Sequence, residues 1–167
     1  AQLSDITRHP IELTTELGNF HVVGVDEVHR MNMVQKLRKK DVLVPPNIQQ
    51  VIQQMPADIH GMVLTLSARH SPNIHEQALA MIRAEHLSML KKACFHEEIA
   101  QGLGLHNDSP AAHPSIFNDD DEFALLTEQD ALLLQTFFDP RLPAGIELQE
   151  AQPILKQLII EHNAPSR

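Results

Sequence analysis

A single α+β domain is the fold class this sequence predicts, and three observations carry it. Two short runs in the first half, Phe20–Val25 and Met62–Leu66, are rich in β-branched and apolar residues, as strands are. The stretch from His86 to Leu103 has helical spacing and stops at a glycine, Gly104. Beyond it the apolar pattern is helical to the end of the chain. The expected architecture is a small mixed sheet, an enclosed central helix and a helical C-terminal part.

The bulk properties narrow the function classes. At 167 residues the chain is long enough to bury a core as one domain. Its formal charge of -9 argues against nucleic acid and against anionic membrane surfaces as partners. No apolar run approaches the ~20 residues a membrane helix needs. With no Trp, no Tyr and six Phe, stacking on sugars or bases is poorly supported. The eleven histidines are dispersed, so they form no metal-binding tract. Cys94 is the one cysteine, which rules out an intrachain disulfide, and its apolar setting predicts a buried, inert thiol. Ala1 opens the chain without a charged-then-apolar leader, which fits either a cytoplasmic protein or a mature or trimmed form of an exported one.

The elements follow in order. Leu3–His9 reads as the end of a helix stopped by Pro10. Phe20–Val25 is a strand after the turn residues Gly18-Asn19. Asp26–Lys40 reads as one helix whose basic end, Lys36 to Lys40, suits the helix macrodipole as a solvated terminus. Pro46 opens a short helix running to about Met55. Met62–Leu66 is the second strand. Gln77–Arg83 is ambiguous, since Leu79 and Met81 alternate while Ala78 and Ile82 fit a helix. After the helix His86–Leu103 comes a polar loop to about Leu126, carrying the acidic run Asn118 to Glu122. Thr127-Glu128-Gln129-Asp130 resembles a capping box and starts a helix that Asp139-Pro140 ends. A last helix, about Glu147 to His162, carries Ile154, Leu155, Leu158 and Ile159 on one side.

The central helix holds the chemistry. Leu87, Leu90, Cys94, Glu97 and Gln101 are spaced 3, 4, 3, 4 and share one face, which turns from apolar to polar while still pointing at the expected core. A carboxylate and an amide placed there need partners, so a cleft or a polar network is expected. The zinc-protease pattern H-E-x-x-H fails at His96-Glu97, because Ala100 stands where the second histidine belongs. Shifted by one residue, the run Glu97 to Asn107 falls on H-E-x-x-H-x-x-G-x-x-H. Glu97, Gln101 and Asn107 take the three ligand places, Glu98 keeps the place of the catalytic base, and Gly104 keeps the glycine.

In that register the chain resembles the metzincins, above all the matrix-metalloprotease group, whose helix and turn typically end in the same L-G-L. Leu126–Pro140 is similar to that group's final helix, and Phe117 within PSIFND takes the place of the methionine in the methionine turn, at the floor of the site. A second resemblance covers most of the chain. NFHVV (Asn19 to Val23), the run Cys94 to Asp130 and DPRLPAGI (Asp139 to Ile146) are similar to the proteobacterial family called domain of unknown function 2927, many of whose members are lipoproteins or exported proteins. These resemblances imply a zincin-like fold, a periplasmic or secreted location, and room for a lipid anchor upstream.

Several chemistries stay open at this point. Zinc prefers imidazole or thiolate, and Glu97, Gln101 and Asn107 offer neither. His96 lies about 100° around the helix from Glu97, and His113 beside Pro114 is an ordinary loop residue. Glu97, Gln101, Asn107 and Asp108 offer oxygens suited to calcium, and the acidic run could do the same or be merely solvated. Glu97, Glu98 and Asp108 could also serve metal-free acid–base chemistry. The expectation is a non-catalytic, pseudoenzyme-like binder of an unidentified peptide or protein in the cell envelope, with no cofactor. The alternative is a peptidase-like hydrolase using Glu98 as general base, with an unconventional metal or none.

Overall fold

The computed structural model describes residues 2–16, 18–30, 32–39, 44–68, 70–118 and 123–163. The chain runs α1 (Gln2–Thr7), β1 (Phe20–Val25), α2 (Glu27–Arg30), α3 (Met33–Arg38), α4 (Pro46–Gln54), β2 (Gly61–Ala68), β3 (Ser71–Arg83), α5 (Ser88–Gly102), α6 (Glu128–Phe137) and α7 (Leu148–His162). The three strands form a mixed sheet in the order β1-β3-β2. β1 runs parallel to β3, with Phe20 opposite Ala78 and Val25 opposite Arg83. β2 pairs with β3 as an antiparallel hairpin, with Gly61 opposite Ile82.

The pleat sorts side chains to two covered faces. Val23, Val25, Met62, Leu64, Leu79 and Met81 point one way and pack with Met33, Val34, Ile48, Ile52 and Met55 of α3, α4 and the residue after α4. Phe20, Val63, Ala80 and Ile82 point the other way and meet Cys94 and Phe95 of α5. Gly102 sets how closely α5 can approach: a Cβ there would lie 2.4 Å from the Phe20 ring and 3.0 Å from Val63. A separate cluster ties the C-terminal part to the other side of α5. It joins Ala100, Ile116, Phe117 and Leu134 to Leu3, Ile6, Leu105, Leu126 and Phe138.

Several elements fall as the sequence predicts. β1 matches in full, α4 starts at Pro46, and α6 opens on a complete capping box in which Thr127 and Asp130 bond each other's backbone. The ambiguous stretch Gln77–Arg83 resolves as strand. As the central strand it is covered on both faces, so its apolar residues run on from Ala78 to Ile82 instead of alternating.

Other expectations are corrected. The helix expected over Asp26–Lys40 is two short helices, α2 and α3. Near the break, buried Arg30 turns inward, donating to the Ile52 carbonyl (2.6 Å) and pairing with Glu27, while the Asn32 N–H closes a turn on His29. Lys36, Arg38 and Lys39 are exposed, and Lys40 lies outside the described residues. The apolar face of α5 does not begin at Leu87: Leu87 is 84% exposed and Leu90 38%, and burial starts at Cys94. The helix packs on the sheet from Cys94 onward, leaving its first turn outside. On α7, Leu158 is buried and Ile154 and Leu155 are half-buried, but Ile159 faces solvent.

Candidate functional site

The C-terminal half of α5 carries the polar cluster. Leu103 caps the helix and Gly104 follows at φ +134°, in the left-handed half of the map where a side chain is strained. A Cβ at Gly104 would also strike the Phe137 ring at 2.4 Å, so both backbone and packing call for glycine. The turn folds the chain back, and Gln101 Nε2 donates to Asp108 Oδ1 at 2.8 Å. Asp108 is therefore the residue hydrogen-bonded to the helix, although both Asn107 and Asp108 are exposed. Phe117 lies buried in the apolar cluster that includes Ala100 of α5.

Glu98 is the deepest acid of the group, at 5% exposure, while Glu97 is half-buried and Gln101 is buried. Its carboxyl occupies space that the sheet leaves open at Gly61, where a Cβ would come within 2.5 Å of Glu98 Oε1. Among the described residues, Glu98 Oε2 has no hydrogen-bond partner. Burial, followed by the nearby charges of Glu97 and Asp108, pushes the Glu98 carboxyl up to about 8, so the group is a neutral acid at pH 7. The same burial, with Glu97 and Glu98 adding to it, pushes the Cys94 thiol up to about 11, in keeping with an inert cysteine.

The cluster does not fit zinc. Its donors are carboxylate and amide oxygens, and the Gln101 amide nitrogen is turned to Asp108. His106 bonds the Gln101 backbone and meets His75 of β3, Nε2 to Nε2 at 3.2 Å, and both His96 and His106 are shifted down, chiefly by burial. The part of the acidic run from 119 to 122 lies outside the described residues; Asn118 before it is buried.

A groove of about 960 Å³ lies elsewhere, along the outer edge of β1. One wall is the extended segment His9–Glu16, the other is β1, and Gly102 and Leu103 close one end. None of Glu97, Glu98, Gln101, Asn107 or Asp108 lines it. Glu98 touches β2, the edge of the sheet opposite the groove, whereas Gln101 immediately precedes Gly102 at the groove's end. Sequence reasoning missed both Gly61, as the space for Glu98, and this groove. The only local signal for the groove was a strand following a proline-bounded polar segment, Pro10 to Glu16.

Residues 1–157 match the family described as Protein of unknown function (DUF2927), and the chain belongs to that family. No curated protein matches the chain. No solved structure matches it either. Among the described residues, no helix is long and apolar enough to cross a membrane.

Proposed function

We propose that this protein is a non-catalytic peptide-binding domain of the cell envelope, a degenerate relative of zinc peptidases in which the former catalytic corner has become internal structure. One observation carries the reading: Glu98 packs at the β2 edge of the sheet, away from the groove along β1, and no residue of the cluster lines the groove. A general base must reach its substrate, and Glu98 is sealed against Gly61 with its proton retained at pH 7. The groove sits at the upper end of the ~300–1,000 Å³ typical of ligand sites. The envelope location and the peptidase ancestry rest on the sequence resemblances.

The raised acid supports a second reading, since catalytic carboxyls are often tuned toward neutral pH. Incubation with a random peptide library at pH 7 to 8 separates the two. The proposal expects every peptide to survive by mass spectrometry, a subset to be retained on the immobilised protein, and Glu98→Gln to retain the same subset. Cleavage that Glu98→Gln abolishes would overturn it in favour of a hydrolase.

A further inference from the structure

We infer that the groove takes an extended, lysine- or arginine-bearing peptide as an added strand on the free edge of β1. The inference rests on the peptide-binding reading above and names the ligand class and its mode of attachment.

The backbone of β1 sets the first half of the argument. Ala78 N–H donates to the Asn19 carbonyl and Ala84 N–H to the Val25 carbonyl, both at 2.9 Å. In a parallel ladder alternate residues bond the neighbour, so residues 19, 21, 23 and 25 serve β3. Phe20, Val22 and Gly24 then present their N–H and C=O groups on the opposite edge, into the groove. Among the described residues, no backbone bond joins Pro10–Glu16 to β1, although that segment forms the facing wall. A row of strand donors and acceptors inside a concave slot is the arrangement that strand-adding peptide sites use.

Charge sets the second half. The lining holds Glu12, Glu16, Asp26 and Glu76 against one permanently charged cation, Lys36. Asp26 is engaged by His29 at 2.6 Å, whereas Glu12, Glu16 and Glu76 are exposed along the walls. An extended peptide sends alternate side chains to opposite sides, so cationic residues at every second position can face these carboxylates while the backbone pairs with β1.

The test uses fluorescein-labelled octapeptides of alternating Lys–Val and alternating Glu–Val, titrated into the full chain at pH 8. The expected result is saturable binding of the Lys–Val peptide, at least tenfold tighter than the Glu–Val peptide. Val22→Pro removes an outward N–H and leaves the β3 ladder its donors, an edge position where proline is tolerated; it should weaken binding at least tenfold. Glu12→Lys combined with Glu16→Lys changes exposed residues only and should narrow or reverse the peptide preference. On binding, the Val22 and Gly24 amides should gain protection from hydrogen exchange. Failure of the Lys–Val peptide to bind at millimolar concentration overturns the inference, as does binding indifferent to Val22→Pro. If library-selected peptides bind without protecting any β1 amide, strand addition falls while peptide binding stands.

Discussion

Asp130 and Glu98 are both carboxyl side chains sealed in the interior, and the fold handles them in opposite ways. Asp130 is fully buried at the start of α6 and accepts from the Ser115 hydroxyl, the Ile116 N–H and the Thr127 N–H, while its own N–H is taken by Thr127 Oγ1. It ties the loop before α6 to the helix. Glu98 is nearly as deep, yet one of its oxygens has no partner among the described residues, and a glycine of β2 makes room for it. A carboxyl surrounded by donors is a fastener. A carboxyl without them stays as a neutral acid, held by shape. In the groove account the second kind is a remnant of architecture, and the chemistry of recognition lies at the other sheet edge.

The sharpest test of this contrast is Asp130→Ala, which removes the carboxylate acceptor of one hydroxyl and two N–H groups at once. It should cost about 3 kcal/mol or more in urea denaturation. Gly61→Ala comes next: the added methyl meets Glu98, and overpacking should cost about 2 kcal/mol. In a Glu98→Ala background the same change should cost far less, so a double-mutant cycle reads the contact directly. Gln101→Ala removes the bond to Asp108 and should cost about 1 kcal/mol.

Glu98→Gln should be the mildest at pH 5, within about 1 kcal/mol, because the amide mimics the protonated acid. Its signature is the pH trend. Folded Glu98 sits near 8 against an ordinary 4.5, so the native state binds the proton more tightly than the unfolded chain. That contribution is full below about 4.5 and is lost as pH rises to about 8. Denaturation midpoints at pH 5 and pH 8 should therefore diverge in the parent and stay closer together in Glu98→Gln.

Much of the fold was legible because its signals are local. The turn residues before β1, Pro46 at the start of α4, the Thr127–Asp130 capping box and Gly104 after α5 each act on their own neighbours. Where the sequence misled, the deciding contact was distant. Leu87 and Leu90 share a face with Cys94, but helical spacing cannot show that the sheet ends before it reaches them. Motif alignment sets Asn107 in the third ligand place, one residue from Asp108, the residue that Gln101 bonds. That Glu98 lies deeper than Glu97 follows from the cleft at Gly61, thirty-seven positions earlier in the chain. The groove depends on strand order, which places β1 at an edge, and no local pattern encodes that.

The claim that Glu98 is structural rests on its proton, and the proton can be observed. We would label the glutamate side-chain carboxyl carbons with ¹³C and follow them by NMR from pH 4 to pH 9, using Glu98→Gln to assign the resonance. The expected result is one carboxyl, absent from the variant, that stays protonated through pH 7 and titrates near 8, with no change in its midpoint when a peptide fills the groove. A Glu98 signal that titrates near the ordinary 4.5, or that moves when peptide binds, would contradict it and return Glu98 to the functional site.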